Sequence, residues 1–232
     1  MPSLNDPAIH STLARLHAKA GMDWAVFARA LPSALLGAAQ GRSVIDSAKP
    51  FLKDAYIPID PAQGRALYQI ARASGAQRIV EFGTSFGIST IYLAAAVRDN
   101  GGGEVITTEQ EATKVAAARA NFQSAGVADL IDLRSGDALE TLRDAPWPVD
   151  LVFLDGWKDL CLPVLRLLEP KLRPNSVVLC DDMKAFPKSL RAYVDHVRSA
   201  NGHYVSMALP IGDELELSIF RAPADARANL RE

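Results

Sequence analysis

Residues 78–87 read RIVEFGTSFG, a short apolar run that leads directly into a loop with two glycines. Isoleucine, valine and phenylalanine are enriched in strands, and glycine allows a tight turn and a close approach of the backbone. A helical pattern follows over residues 87–98. The stretch therefore predicts a strand, a glycine loop and a helix, the unit at which open α/β sheets bind ligands outside the strand ends.

The rest of the chain repeats this alternation after residue 60. Repeated βα units favour a parallel sheet with right-handed crossovers. The last two strands are joined by a short turn that contains Pro210, Gly212 and Asp213, which predicts an antiparallel hairpin. We therefore predict an α/β fold: a Rossmann-like, seven-stranded, mostly parallel sheet with a C-terminal hairpin and helices on both faces. The predicted strands are 78–82, 104–108, 130–134, 149–155, 176–181, 203–209 and 214–220, and the helices between them are 87–98, 110–125, 137–143, 158–172 and 187–200.

Extra helices are predicted before this domain. Asp6-Pro7 is a helix-start signal, and a second helix is expected between Asp23 and Pro32. We assign residues 1–55 to an N-terminal helical region that serves as an acceptor-side cap or an oligomer contact. Residues 56–221 form the ligand-binding domain, and 222–232 form a flexible tail.

The composition predicts a cytoplasmic protein that acts on small molecules. The 232 residues carry a net charge of −2, so the clustered positive charge that nucleic-acid binding needs is not evident. The start of the chain has no signal-peptide pattern, and the longest apolar runs, such as 177–180, are too short to span a membrane. Cys161 and Cys180 lie in apolar stretches and are expected to be buried free thiols.

The glycine loop favours a nucleoside ligand other than a dinucleotide. Gly83 and Gly87 are separated by three residues, and the middle glycine of the G-x-G-x-x-G fingerprint is missing. Glu109 ends the second predicted strand, where its carboxylate can accept hydrogen bonds from ribose hydroxyls. Glu109 could equally act as a helix cap. The placement of both features at neighbouring strand ends predicts a nucleoside site.

Five blocks of the chain together resemble a known family. They are EFGTSFGISTIYLA (81–94), TTEQ (107–110), SGDALETL (135–142), LDGWKDLCLP (154–163) and LRPNSVVLCDDM (172–183). In this order they resemble the small-molecule O-methyltransferases related to catechol and caffeoyl-CoA O-methyltransferases. The similarity covers roughly residues 56–220. It implies a class I methyltransferase that uses S-adenosylmethionine.

The resemblance also implies a donor site, residue by residue. Glu81, Gly83, Ser85 and Ser89 would surround the methionine end, together with Thr84 of the same loop. Glu109 would hold the ribose, and Asp137 and Ala138 would border the adenine. Asp155 and Trp157 would lie beside the donor.

Three aspartates follow neighbouring strands and are predicted to meet. Asp155 follows the fourth strand, and Asp181 and Asp182 follow the fifth. Carboxylate oxygens suit Mg²⁺ or a similar hard cation, although aspartates at such junctions are also common caps and turn residues. The resemblance implies metal ligands at these positions, but the family usually has asparagine where this chain has Asp182.

Lys158 is the predicted catalytic base. It follows Asp155 by three residues at the start of a helix, and the resemblance implies that it takes the proton of the acceptor hydroxyl. This role needs burial and a nearby cation to lower the pKa of the lysine; a flexible surface ammonium is the alternative. The N-terminal helices and residues 183–188 would form the acceptor walls, although their aromatic residues could equally be core: Trp24, Phe27, Phe51, Tyr56 and Phe186.

These observations predict an S-adenosylmethionine-dependent O-methyltransferase for a small, catechol-like hydroxyl acceptor, assisted by a divalent cation. A nicotinamide-dependent oxidoreductase and a non-catalytic nucleoside-binding partner are the alternatives. A methyltransferase for macromolecules is disfavoured by the absence of a basic cluster. The expected partner is the small acceptor rather than nucleic acid or membrane, and a homodimer is left open.

Overall fold

The computed structural model describes residues 2–20, 59–146 and 148–221. Its strands form one seven-stranded sheet in the order β3-β2-β1-β4-β5-β7-β6. The strands are β1 Arg78–Phe82, β2 Glu104–Glu109, β3 Ile131–Ser135, β4 Val149–Leu154, β5 Leu172–Cys180, β6 Tyr204–Leu209 and β7 Leu215–Phe220. The α-helices of the described ranges are α1 Pro7–Ala20, α2 Pro61–Ala73, α3 Ile88–Asp99, α4 Ala112–Ala125, α5 Ala138–Thr141, α6 Cys161–Leu168 and α7 Arg191–Val197.

The sheet confirms the predicted fold class. Strands β1 to β5 pair in parallel, whereas β7 pairs antiparallel with both β5 and β6. The strand order reverses at β1, which lies between β2 and β4, and this is the position at which α/β sheets bind their ligands. Every residue of β4 is buried, as its continuous apolar sequence predicts.

Several predicted elements differ in extent from the observed ones; the helix predicted over 187–200, for example, is observed over Arg191–Val197. Strand β5 begins at Leu172 rather than at residue 176, because its pairing with β4 shifts register and Asn175 adopts a positive φ of 70°. The helix predicted over 158–172 is divided into three: α6 lies between short 3₁₀ turns at Lys158–Leu160 and Glu169–Lys171. Periodicity alone does not distinguish a continuous helix from such a division.

The first N-terminal helix packs into the core of the sheet domain. The Asp6 side chain accepts a hydrogen bond from the Ala8 amide at 2.8 Å, as expected for a helix cap. Ile9, Leu13 and Leu16 are buried in the same apolar cluster as α3 and α4. The second predicted helix, at 23–32, and the tail at 222–232 lie outside the described residues. The domain boundaries remain a prediction.

The structure bears on the two cysteines and on membrane-spanning helices. Cys161 and Cys180 are both buried and free, as expected. In the described ranges, no helix combines the length and apolar character required to cross a bilayer.

Candidate functional site

The carboxyl ends of β1, β2, β4 and β5 form one edge, and the predicted site residues lie along it. The Asp155 amide donates to the Phe82 carbonyl at 2.8 Å, and the Asp181 amide donates to the Leu154 carbonyl at 3.1 Å. These hydrogen bonds continue the parallel ladder by one residue beyond the strands. They place the glycine loop, Asp155 and Asp181 side by side.

The packing of the loop after β1 against the residues that follow β4 requires a glycine at position 83. Its φ is +104°, and a Cβ built there would lie 2.7 Å from the Gly156 amide nitrogen and 2.8 Å from the Asp155 carbonyl carbon. A real Cβ cannot occupy that space, so the backbone of the glycine loop lies directly against the residues that follow β4. The loop that is predicted to hold the donor is therefore fixed next to Asp155.

Glu109 ties the glycine loop to β2. Its carboxylate accepts hydrogen bonds from the Ser85 amide at 2.8 Å, the Gln110 amide at 2.8 Å and the Glu111 amide at 2.9 Å. A carboxylate offers about four lone-pair sites, so it can still accept a hydrogen bond from a ribose hydroxyl. Both roles considered for Glu109, helix-end capping and ribose binding, are compatible with this position.

Glu81 lies beneath the loop and is fully buried. One carboxylate oxygen accepts hydrogen bonds from the hydroxyls of Thr90 at 2.5 Å and Thr107 at 2.6 Å, and the other has no partner among the described residues. Burial raises the pKa of Glu81 to about 7, although hydroxyl groups, including that of Ser89, oppose the shift. Glu81 therefore links β1 to α3 through Thr90 and to β2 through Thr107. Thr84 is also buried, with its hydroxyl 2.6 Å from that of Thr107.

The loop after β3 lies on the other side of β2. The Gly136 amide donates to the Glu109 carbonyl at 2.9 Å, which holds this loop beside the strand end. Asp137 caps α5 by accepting a hydrogen bond from the Leu139 amide at 2.8 Å, and Ala138 is buried. Trp157 is among the most exposed large apolar side chains described, at 36%. The Trp157 side chain is therefore accessible to a ligand.

Lys158 binds two of the three predicted metal ligands. Its ammonium nitrogen lies 2.9 Å from Oδ1 of Asp155 and 2.9 Å from Oδ2 of Asp182. The Lys158 side chain is only 9% exposed, and the Phe186 ring centroid lies 6.0 Å from the ammonium. The surface-lysine alternative is therefore excluded, because this ammonium is buried between carboxylates.

Asp181 faces a different partner that the sequence analysis missed. Its Oδ1 accepts hydrogen bonds from Nε2 of Gln63 at 2.8 Å and from the Asp182 amide at 2.7 Å. Gln63 is fixed by a capping box at the start of α2, in which its Oε1 accepts a hydrogen bond from the Asp60 amide. The pattern Asp60-Pro61-Ala62-Gln63 could have predicted the capping box, but not the contact with Asp181.

The cluster has strongly shifted proton affinities. Burial raises the pKa of Asp155 to about 6 and that of Asp181 to about 8, and neighbouring carboxylates add to the Asp181 shift. Burial acts against the charge of Lys158, but Asp155 and Asp182 outweigh it and raise the pKa of the lysine well above its ordinary value. The lowering of the Lys158 pKa that a base role needs is not found in this arrangement, since two carboxylates stabilise the ammonium.

The three aspartates do not fit a divalent cation as they are arranged. Their oxygen donors suit a hard ion, but Asp155 and Asp182 hold Lys158, and Asp181 holds Gln63. Within the described residues, no group of three or more His, Cys, Asp or Glu side chains is placed to hold a metal ion. No chemical step is therefore assigned to a metal.

The chain was compared with known proteins. Residues 80–183 match a family model described as a methyltransferase domain. A catechol O-methyltransferase of Mycobacterium tuberculosis is 36% identical over 128 residues, which is 55% of this chain and 57% of that protein. A catechol O-methyltransferase of Niastella koreensis is 30% identical over 131 residues, 55% of this chain and 58% of the relative. The matched region thus spans less than two thirds of the length of either relative.

A solved structure shares the fold. The O-methyltransferase TomG of Streptomyces achromogenes, crystallised with S-adenosylmethionine, superposes with a TM-score of 0.64 at 25% identity. The superposition covers 72% of this chain and 82% of TomG. The resemblance recognised in the sequence is thus confirmed: residues 80–183 match a methyltransferase-domain model, and the proteins to which the chain is similar include catechol O-methyltransferases.

Proposed function

We propose that this chain is an S-adenosylmethionine-dependent O-methyltransferase that acts on a hydroxyl group of a small aromatic molecule. The match of residues 80–183 to a methyltransferase domain supports the reaction type. The single structural observation that carries the proposal is the packing of Gly83 against Asp155, which places the donor loop beside the Lys158 cluster. Methyl transfer needs such proximity, since alignment of donor and acceptor can supply about 7–11 kcal/mol in favourable cases.

The donor would lie along the glycine loop. When bound, S-adenosylmethionine supplies an electrophilic methyl group on a sulfonium centre. The backbone of residues 83–87 would hold its methionine end, and Glu109 has a lone-pair site left for the ribose. The buried Glu81 beneath the loop favours a cationic ligand whenever its carboxyl group is ionised. Asp137 and Ala138 would border the adenine, with Trp157 packing nearby, as the resemblance implies.

The acceptor would meet the Lys158 side of the site. The Lys158 ammonium can donate a hydrogen bond to the acceptor oxygen and stabilise its ionised form. Asp155 can take the proton of the acceptor hydroxyl, because burial raises the pKa of Asp155 to about 6. This value is closer to the pKa of a phenol than the pKa of an ordinary aspartate is. The Phe186 ring forms an apolar wall beside the ammonium. The other predicted wall residues, Trp24, Phe27, Phe51 and Tyr56, lie outside the described part of the chain.

Three finer predictions stay part of this proposal: a catechol-like acceptor, a small-molecule partner and a cytoplasmic location. The acceptor would lie against the wall at Phe186, and the other two rest on composition. The divalent cation, Mg²⁺ or similar, was predicted from the resemblance; it is not part of this proposal, because Lys158 is bound to two of its predicted ligands.

The alternatives are less well supported. The G-x-x-x-G spacing disfavours a nicotinamide-dependent oxidoreductase, whose phosphate-binding turn needs another glycine. A non-catalytic nucleoside-binding protein would have no use for a buried lysine between carboxylates. Such pairs contribute little stability compared with apolar packing, so their presence at the strand ends favours a chemical role.

Transfer of a labelled methyl group tests this proposal. The whole chain would be incubated with methyl-labelled S-adenosylmethionine and a panel of catechols, simple phenols, aliphatic alcohols, aromatic amines and carboxylic acids. We expect label on phenolic oxygens, with one S-adenosylhomocysteine formed per product, and little label on aliphatic alcohols. Label found on amines or carboxylic acids, with none on any hydroxyl group, would exclude an O-methyltransferase for phenols.

A further inference from the structure

We propose that the ammonium group of Lys158 is the resident cation of the acidic cluster formed by Asp155, Asp181 and Asp182, and that it replaces the divalent ion predicted there. Methyl transfer by this chain would then proceed without a metal. The consequence for catalysis rests on the proposed function, whereas the claim about cation binding does not.

The ammonium is bound from two strand ends at once. Its nitrogen lies 2.9 Å from a carboxylate oxygen of Asp155, which follows β4, and 2.9 Å from one of Asp182, which follows β5. All three side chains are at most 20% exposed, so water screens their charges weakly. A divalent ion that used these oxygens would lie within a few ångströms of the ammonium and would be repelled by it.

The position of Asp181 supports the same inference. Its Oδ1 already accepts hydrogen bonds from Gln63 and from the Asp182 amide, and it is not an ion-pair partner of Lys158. Asp181 therefore does not compete with Asp155 and Asp182 for the ammonium, and a divalent ion at the two oxygens that hold the ammonium would have to displace Lys158.

The contact between Asp182 and Lys158 explains why this chain has an aspartate where the family usually has an asparagine. An asparagine at this position would offer Lys158 a neutral oxygen, whereas the carboxylate adds a second full negative charge. Asp182 has a φ of +66°, a conformation that aspartate and asparagine both tolerate. The backbone therefore gives no reason for the replacement, but the contact with the ammonium does.

An ammonium would act on the acceptor differently from a metal. It has three N–H donors, and after two bonds to carboxylates the third can reach an acceptor oxygen. It supplies one positive charge and one hydrogen bond. Such a group holds a phenolate well but acidifies an alcohol weakly, so the acceptor class would be hydroxyl groups that ionise readily.

Binding of Mn²⁺ tests this inference without reference to activity. The full chain, freed of metal by a chelator and dialysed, would be titrated with Mn²⁺ by electron paramagnetic resonance. We expect no saturable binding at millimolar Mn²⁺ by the wild type. Lys158→Met should bind one Mn²⁺ at least about 100-fold more tightly than the wild type does, because the repelling charge is gone and the oxygens of Asp155 and Asp182 are released. Lys158→Met combined with Asp155→Ala should lose most of that gain, because alanine has no oxygen to bind the ion.

A matched control and a second readout make the test decisive. Lys171→Met removes a lysine at the opposite end of β5, where its ammonium donates to the Ala145 carbonyl, and should bind Mn²⁺ no better than the wild type does. Mn²⁺ should raise the thermal midpoint of Lys158→Met but not of the wild type. Stoichiometric Mn²⁺ binding by the wild type that is lost in Asp155→Asn would overturn the inference, and so would a folded Lys158→Met that gains no affinity. Failure of the proposed function would instead appear as an absence of methyl transfer in the labelled assay.

Discussion

Replacing Lys158 with methionine is expected to lower kcat/KM for methyl transfer about 10²–10³-fold, the usual loss when one preorganised donor to an oxyanion is removed. Methionine keeps the length and apolar stem of lysine but has no charge to hold the acceptor oxygen. The affinity for S-adenosylhomocysteine should change little, because the lysine contacts the acceptor side of the site. Steady-state kinetics on a phenol from the active panel, together with calorimetry, would measure both quantities.

Lys158→Arg separates a charge role from a base role. Arginine keeps a positive charge but cannot lose a proton near neutral pH. If Lys158 acts as a cation, Lys158→Arg should retain activity to within about tenfold of the wild type, above Lys158→Met. The wild-type rate should also show no rise that depends on Lys158 between about pH 7 and 9, because the pKa of Lys158 lies far higher. Equal losses in the arginine and methionine variants would instead support a base.

Replacing Gly83 with alanine is expected to lower the free energy of unfolding by about 3–5 kcal/mol and to abolish binding of S-adenosylhomocysteine. Two costs add. Alanine is strained at a φ of +104°, and its Cβ would lie 2.7–2.9 Å from the backbone of Asp155 and Gly156. Since backbone cannot move aside as a flexible side chain can, the glycine loop and the end of β4 must separate. Urea denaturation monitored by circular dichroism would give the change in stability.

Gly102→Ala is the matched control for this experiment. Gly102 has nearly the same φ, +107°, but a Cβ built there meets nothing within 4 Å. Its replacement should cost only the backbone strain, about 1–3 kcal/mol, and should leave nucleoside binding intact. If both alanine variants lose the same stability, the packing of Gly83 against the end of β4 has no energetic role and the argument for proximity weakens.

The fold was predictable because local patterns and tertiary structure agree. The apolar run of β4 is buried on both faces, and the short turn between β6 and β7 closes a hairpin, as their sequences indicate. Asn175, at the register shift within β5, adopts the left-handed conformation that asparagine tolerates. Where extents differ, the cause is tertiary: β5 begins early because it pairs with β4 through a register shift.

The site was predictable in position but not in its internal contacts. Parallel strand ends necessarily bring Asp155, Asp181 and Asp182 to one edge, so the acidic cluster followed from topology. The direction of the Lys158 side chain and the arrival of Gln63 from α2 depend on packing between segments far apart in sequence. The sign of the Lys158 pKa shift depends on those contacts, which the sequence does not reveal.

Calorimetric titration of the whole chain with S-adenosylhomocysteine and, separately, with NAD tests the central claim most directly. The account predicts one S-adenosylhomocysteine per chain and no heat of binding with NAD. Glu109→Ala should lose most of that affinity, because the carboxylate holds the Ser85 amide and offers a site for the ribose. Glu111→Ala is the matched control, since the Glu111 side chain makes no capping hydrogen bond at the start of α4. Binding of NAD by a folded chain that does not bind S-adenosylhomocysteine would contradict the account.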